Sequence, residues 1–239
     1  MSDSRQTRDI KPVPILSVDR AQIPASANTP ELEIKLQVYP GELHLIYSRD
    51  RQRNSILADA MLGLAPVAHG KIHFLGNDWA ELSGDAAFGQ RRGVGRVQRE
   101  GNWMETRSVM ENLLLPLRHH TLIPEQQLRT SASDLAQRFG LPGLPMQLPG
   151  ECATADLQRA ACIRAFLGRP QLVVLEHPAV SGDRELIRPL MESIQQVRRR
   201  QGAIIWFTEH LSLMSDRGIP ADRRYRIDSN QLLAWETAQ

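Results

Sequence analysis

The sequence predicts an α/β fold in which a mainly parallel sheet carries an inserted helical lobe. Two continuous apolar segments, 171–177 and 203–209, have the composition of strands buried on both faces. Segments with helical periodicity, 154–167 and 183–200, alternate with them. Strands that alternate with helices form a parallel sheet covered on both sides, and a helical stretch at about 85–165 interrupts that alternation.

The other elements follow from shorter periodic segments and from the turn residues between them. Residues 32–38 alternate apolar and polar side chains, as in a half-buried strand, and residues 43–47 form a mostly apolar strand. A helix is expected from about Asn54 to Leu64. The remaining expectations are strands at 14–18, 69–79 and 93–98, helices at 125–139 and at 108–118 (ending near Pro116), and a hairpin at 223–235.

The domain organisation is expected to be simple. Residues 1–12 are polar and are expected to be disordered. Residues 13–239 are expected to form one domain, in which positions 84 and 170 approximately bound the helical lobe. The polar N-terminus is unlike a signal peptide, and no apolar run reaches the length of a transmembrane helix.

The composition is that of a folded globular protein, with 41% hydrophobic and 23% charged residues among 239. The 29 basic residues nearly balance the 27 acidic ones, which argues against a nucleic-acid partner. Cys152 and Cys162 are too few for a disulfide framework, and a cytosolic location is expected. Only Lys11, Lys35 and Lys71 are lysines, although one class of nucleotide enzymes depends on a single lysine.

Five anchors follow one another in an order and spacing that resemble the ATPase subunit of ABC transporters, from about residue 14 to 235. They are a strand–loop–helix at 43–62, a strand and loop at 93–103, a small-residue pentapeptide at 152–156, a buried strand that ends in the acid Glu176, and a strand that ends at 208–210. The resemblance implies a P-loop NTPase-like domain with a mainly parallel sheet, an antiparallel β edge and an inserted helical lobe.

Within that family, three segments look most similar to the ATPase of the MCE-associated phospholipid transporters of bacterial envelopes: 112–124, 148–166 and 176–183. This resemblance implies a lipid transport system, a membrane permease as partner, and a cytoplasmic subunit held peripherally on the inner face of the cell membrane.

The P-loop segment, residues 47–55, departs from the family pattern GxxxxGK[ST]. In that pattern glycine N–H groups surround phosphate, the lysine meets the β and γ phosphates, and the hydroxyl binds Mg²⁺. This sequence has Tyr47, Asp50 and Gln52 at glycine places, Arg53 at the lysine place, and Asn54, followed by Ser55, at the hydroxyl place. Without glycine, left-handed backbone conformations are costly. Arg49, Arg51 and Arg53 form either a new anion site or a solvated surface loop, and the solvated loop is preferred.

The signature segment, residues 152–156, departs from LSGGQ, whose serine and glycines face the γ phosphate held by the other subunit of a head-to-tail dimer. Ala153 stands at the serine place, Thr154 and Ala155 stand at the two glycine places, and Asp156 at the last place would face phosphate with the wrong charge. The preferred interpretation is a plain helix N-terminus with Thr154 or Asp156 near the cap.

The Walker B strand ends Glu176–His177 instead of Asp–Glu, so a histidine replaces the general base. Histidine can act as a base near neutral pH, but the altered P-loop leaves it little to act on. Glu209 takes the place of the switch histidine, and His210 fits only with a one-residue slip. In the glutamine loop Arg99 occupies the glutamine place, and Gln98 again needs a slip.

Two further positions concern partners. Asp183 follows the Walker B strand and corresponds to a contact across the family's dimer. The segment 96–111 corresponds to the groove that meets the permease; there Trp103 and Met104, with Arg99, form either a docking anchor or part of the lobe core.

Together these departures predict a degenerate ABC ATPase-like subunit that binds a permease without efficient hydrolysis, either as a homodimer or paired with another ABC ATPase. No cofactor is expected. One alternative is an active ATPase with unorthodox residues, in which ATP and Mg²⁺ bind. The other alternative is a freestanding interaction module.

Overall fold

The computed structural model describes residues 12–25, 30–178 and 184–235, except for the side chains of His120 and Arg184. Across these residues ten strands form one sheet in the order β5-β4-β1-β2-β10-β9-β3-β8-β7-β6. The strands are β1 (Leu16–Ile23), β2 (Leu32–Val38), β3 (Leu43–Tyr47), β4 (His69–Phe74), β5 (Asn77–Asp78), β6 (Val94–Val97), β7 (Leu172–Glu176), β8 (Ala203–Thr208), β9 (Arg223–Asp228) and β10 (Gln231–Ala234).

The sheet has a parallel half and an antiparallel half. The consecutive pairs β9–β3, β3–β8, β8–β7 and β7–β6 are parallel. Strands β2, β1, β4 and β5 pair antiparallel at the other side, and the β9–β10 hairpin joins the halves. The predicted fold class is therefore confirmed, including the antiparallel edge that the resemblance implied.

Six helices lie among the described residues: α1 (Arg51–Met61), α2 (Gly84–Arg91), α3 (Val109–His120), α4 (Glu125–Arg138), α5 (Thr154–Phe166) and α6 (Arg184–Arg199). Helices α3, α4 and α5 contact one another and build the helical lobe. The interval 84–170 also contains β6, which pairs with β7 within the sheet. The lobe bounds remain a prediction, as does the single domain at 13–239.

The core follows the apolar runs of the sequence. Strands β7 and β8 are buried along their whole length, as parallel strands covered on both faces must be. Helix α6 places Leu186, Leu190 and Ile194 on one buried face at four-residue spacing. The predicted disorder of 1–12 falls almost entirely outside the described residues.

Helices α1 and α3 differ most from the sequence prediction, and α1 also ends at Met61 and not at Leu64. Helix α1 begins at Arg51 and not near Asn54, because Asp50 caps it. Helix α3 continues past Pro116 to His120. One proline removes one backbone hydrogen bond, and the burial of Leu114 and Leu117 on either side keeps the helix packed.

Candidate functional site

The P-loop segment is short and tightly bonded to itself. Its nine residues are all described, and none of them has a positive φ. The Asp50 carboxylate accepts the Arg53 backbone N–H at 3.0 Å, and the Asp50 N–H donates to the Ser48 hydroxyl at 3.2 Å. Ser48 N–H in turn donates to the carbonyl of Thr208 at the end of β8. A side-chain carboxylate therefore occupies the N-terminus of α1, where free N–H groups bind anions in other proteins.

Arg53 holds a structural position against the C-terminal hairpin. Only 7% of the residue is exposed, and its guanidinium donates to the carbonyl of Ser229 at 2.7 Å and to that of Pro30 at 3.4 Å. Beside it Asn54 is 2% exposed, and neither polar atom of its amide has a hydrogen-bond partner among the described residues. Arg53 is thus committed to backbone carbonyls.

The acid that ends β7 is neutralised within the chain. Glu176, which is 2% exposed, accepts hydrogen bonds from the Ser55 hydroxyl and from the Arg96 Nε, both at 2.6 Å. Arg96 also pairs with Asp59 on α1. Burial lowers the pKa of Arg96, but its hydrogen bonds and charge contacts with Glu176 and Asp59 outweigh burial and raise it overall. An arginine therefore serves as the cation for the Walker B acid.

A second group of interacting side chains, the Glu209 cluster, connects the P-loop segment, the glutamine loop, the end of the Walker B strand and the switch position. It consists of Glu209, Arg51, Arg99 and His177. Arg51 and Arg99 donate to the two carboxylate oxygens of Glu209 at 2.6 Å and 2.7 Å. The His177 Nε2 lies 2.7 Å from the same carboxylate but is not aligned for a hydrogen bond.

The Glu209 cluster shifts the titration of both its weak acids. Burial acts to raise the pKa of Glu209, but the Arg51 hydrogen bond and the charges of His177 and Arg99 lower it overall. Burial lowers the pKa of His177, and the opposing effect of Glu209 does not restore it. Near neutral pH the cluster therefore holds an ionised Glu209 and a neutral His177.

A cavity of about 450 Å³ lies above these groups. Its lining carries charges of both signs from the P-loop segment, the Walker B end and the glutamine-loop segment, including Arg51, Ser55, Arg96, Arg99 and Glu176. The structure therefore brings together the predicted P-loop, Walker B, glutamine-loop and switch positions. Their side chains mainly neutralise one another.

The signature segment has a different local structure. Helix α5 begins at Thr154 with Ala153 as its N-cap, and no side-chain hydrogen bond caps it. The residues Ala153, Thr154 and Ala155 are exposed, and Asp156 lies in the first turn, where its carboxylate is 3.8 Å from Arg159. The expected helix N-terminus is present, but Thr154 does not cap it through its side chain.

Trp103 and Met104 have separate environments. Trp103 is half-buried against the lobe core, and the Arg164 guanidinium lies over its ring at 4.5 Å while donating to the Gly101 carbonyl. Met104 is 44% exposed, and its backbone N–H and carbonyl are both held by the Asn112 side chain. Trp103 thus packs within the protein, whereas Met104 faces solvent.

Other sequence expectations lie elsewhere. Asp183 falls outside the described residues, so its dimer contact stays a prediction. The roles of Asp50, Asp59 and Arg96 in these clusters were not predicted. The Asp50 cap had a signal, since aspartate is a preferred N-cap residue. The Arg96–Glu176 pair had none, because 80 residues separate its members.

Among the described residues no group of three or more histidine, cysteine, aspartate or glutamate side chains is arranged to hold a metal ion. No helix in the described ranges is long and apolar enough to cross a membrane.

Comparison with known proteins finds curated bacterial proteins that are similar in sequence to this chain. It is 32% identical over 185 residues to the nickel import ATP-binding protein NikE of Pseudomonas putida, a match over 76% of this chain and 68% of NikE. It is 28% identical over 200 residues to the methionine import ATP-binding protein MetN of Rhizobium johnstonii, over 84% of this chain. The chain spans about half the length of that relative, 54%. No family model matches the chain.

Solved structures share the fold. A structure described as the ATP binding subunit of an ABC transporter superposes with a TM-score of 0.78 at 20% identity, covering 91% of this chain and 88% of the other. The dimeric structure of MJ0796, a bacterial ABC transporter cassette, superposes with a TM-score of 0.77 at 15% identity, covering 91% and 96%.

Proposed function

The chain belongs to the family of ABC transporter ATP-binding subunits, and we propose that it serves its transporter without efficient ATP hydrolysis. The observation that carries this proposal is the closed P-loop segment. Asp50 caps helix α1 with its own carboxylate, and Arg53, at the lysine place, is bonded to the carbonyls of Ser229 and Pro30.

The charged side chains of the P-loop segment oppose the binding of a nucleotide. A phosphate at the N-terminus of α1 has to displace the Asp50 carboxylate and then lie beside its negative charge. The Arg53 side chain has to leave a buried position before it can reach that phosphate. The residues present therefore do not fit a bound triphosphate.

The metal-binding position supports the same proposal. Glu176 is the remaining acid of the Walker B pair, and its two oxygens are taken by Ser55 and Arg96. A magnesium ion at Glu176 has to compete with the buried guanidinium of Arg96, a cation that stays protonated. With His177 neutral and beside Glu209, we assign no hydrolytic step to this chain.

The proposed partner is an integral-membrane permease, bound on the cytoplasmic face of the cell membrane. A cavity of about 300 Å³ opens beside β6 and α3, and Met104, Arg92, Leu113 and Arg164 are among its lining residues. The exposed Met104 supplies an apolar contact at its rim, and Arg99 lies nearby in sequence at the glutamine place. The Trp103 ring packs against the guanidinium of Arg164, which lines this cavity.

The proposed cargo is phospholipid, moved by an MCE-type system. This finer proposal depends on the sequence resemblance at 112–124, 148–166 and 176–183. The curated relatives carry other names, for nickel import, methionine import and bacitracin export. Co-purification of the chain with MCE-type components supports phospholipid, and co-purification with an unrelated importer contradicts it.

The proposed assembly is a dimer of ATP-binding subunits, as in the dimeric structure of MJ0796. A homodimer of this chain has two altered composite sites. A heterodimer with an intact ATPase has one site without a functional P-loop and one without a functional signature. In both cases ordinary two-site hydrolysis is lost, and the chain braces or regulates the permease.

Steady-state ATPase assays on the purified chain and on the permease complex test the proposal. We expect turnover by the chain itself at the level of the buffer. Turnover by the chain alone that is lost in His177→Asn contradicts the proposal and favours the active-ATPase alternative. A chain that stays alone when the permease is co-expressed favours the freestanding interaction module.

A further inference from the structure

A second cavity lies in the helical lobe and shares no lining residue with the cavity above the P-loop segment. Its volume is about 550 Å³, within the range of small-molecule sites. It lies between α4, the end of α3, the end of α5 and helix α6. Its apolar lining is contributed by Leu117, Ile123, Leu128, Leu135, Phe166 and Leu167.

The polar lining of this cavity carries an excess of positive charge. Arg138, Arg169 and Arg200 line it, against one carboxylate from Asp134. Arg138 donates to the wall residue Gln196 at 3.0 Å. Arg169 and Arg200 are exposed at the cavity, and neither has an ion-pair partner or a side-chain hydrogen bond within the described part of the chain. Two of the three guanidinium groups are therefore available to an anion.

Arg169 and Arg200 are close enough to repel each other. Burial lowers the pKa of Arg200, and the positive charge of Arg169 lowers it further. Both side chains are exposed, so water screens part of this repulsion, and an anion between them reduces it further. Arginine also presents paired N–H donors that match the oxygens of a phosphate or a carboxylate.

The turn that brings Arg169 to the cavity is strained. Gly168 has a φ of +83°, and a Cβ there would lie 2.6 Å from Leu117. Arg169 follows with a φ of +58°, a conformation that is unfavourable for a residue with a side chain. Arg200 directly follows the last residue of helix α6 and also lines the cavity. Two separate connections thus place cations at one cavity.

We propose that this cavity binds a small organic anion whose phosphate or carboxylate head meets Arg169 and Arg200 and whose apolar body lies against the leucine-rich wall. The apolar wall distinguishes it from a simple phosphate site. The paired arginines distinguish it from a site for a neutral hydrophobic ligand. The inference does not depend on the proposed transport function.

Titration calorimetry of the full chain with octyl phosphate tests the proposal, with octanoate, inorganic phosphate and octanol as comparison ligands. We expect saturable binding of octyl phosphate or octanoate, and binding at least about tenfold weaker for octanol and for inorganic phosphate. The absence of saturable binding by both octyl ligands overturns the proposal. Inorganic phosphate that binds as tightly as octyl phosphate overturns the role of the apolar wall.

Matched variants locate the binding. Arg169→Gln and Arg200→Gln should each weaken octyl phosphate binding about tenfold, since each removes charged hydrogen bonds. Ser131→Phe fills the cavity without a change of charge and should also weaken binding. Arg217→Gln removes an exposed arginine that does not line the cavity and should leave the affinity unchanged. Equal affinity for the wild type, Arg169→Gln and Arg200→Gln contradicts the assignment.

Discussion

The N-termini of helices α1 and α5, which the sequence resemblance assigns to the two halves of a composite nucleotide site, differ in this chain. At α1, Asp50 accepts the Arg53 N–H and occupies the helix end with a carboxylate. At α5, Ala153 is the N-cap, no described side chain caps the helix, and the first residues are exposed. The helix end at the P-loop segment is closed, whereas the helix end at the signature segment is open.

The difference shows that local side chains, and not the fold, close the first half. Strands β3, β7 and β8 and helix α1 belong to the fold that this chain shares with solved ABC transporter ATP-binding subunits. Two acids in the loops, Asp50 and Glu209, bind the backbone and the arginines around them. Substitutions that remove side chains at the start of α1 or from its ion pairs should therefore lower stability, and removal of the Thr154 side chain at the start of α5 should not.

The largest effect is expected at Arg96. Arg96→Met leaves the buried Glu176 without its cation, which should cost about 3–5 kcal/mol of the free energy of unfolding. Chemical denaturation measures this. The control is Arg188→Met, whose side chain is 87% exposed in its pair with Glu192, and it should cost under about 0.5 kcal/mol. A loss under about 1 kcal/mol at Arg96 contradicts the internal-cation interpretation.

The caps of the two helices should respond differently to alanine. Asp50→Ala removes the carboxylate from the α1 terminus and should cost about 0.5–2 kcal/mol of unfolding free energy. Thr154→Ala at the start of α5 removes no cap and should change the unfolding free energy by about 0.5 kcal/mol at most. Equal losses of unfolding free energy in Asp50→Ala and Thr154→Ala contradict a difference in capping between the two helix ends.

A side-chain N-cap added to α5 should stabilise that helix end as Asp50 stabilises the start of α1. Ala153→Asp supplies the missing carboxylate and should raise the free energy of unfolding by about 0.5–1 kcal/mol. Ala153→Gly is the matched control, since glycine at an N-cap acts without a side chain. If thermal or chemical unfolding shows that Ala153→Asp is no more stable than Ala153→Gly, the backbone N–H groups at the start of α5 gain nothing from a side-chain cap, which contradicts the prediction.

The smallest effect concerns pH. The pKa of His177 is lowered, so below about pH 6.5 the unfolded chain takes up a proton before the folded chain does, and stability falls with acidification. The lowered pKa of Glu209 has the same sign, with stability present above about pH 4.3 and lost below it. His177→Asn should therefore lose less stability than the wild type between about pH 7 and pH 5.5. Parallel unfolding curves across that range contradict the shift at His177.

The sequence predicted the sheet because its buried strands are continuous apolar runs. Strands β2 and β3 begin and end where the alternation and the apolar run do. The sequence pattern places the start of α1 three residues late, because a run of arginines hides the periodicity and the Asp50 cap begins the helix before the first apolar residue. Pro116 was overvalued as a helix end, because local propensity yields to the burial of its neighbours.

The candidate site was only partly predictable. The resemblance identified the positions that meet, such as Arg99, Glu176, His177 and Glu209. It did not identify how they bond, because the Arg99–Glu209 pair spans 110 residues and depends on tertiary structure. The internal cation Arg96 was likewise missed, since nothing in a four-residue strand marks one arginine as the partner of a buried acid.

Equilibrium binding of MgATP to the purified wild-type chain tests the central claim most directly. A hydrolytically active ABC ATP-binding subunit measured in parallel serves as the positive control. The closed P-loop segment predicts no saturable binding up to about 1 mM, which corresponds to a binding free energy weaker than about −4 kcal/mol. Saturable binding with a dissociation constant in the range of about 1–100 μM contradicts the closed loop.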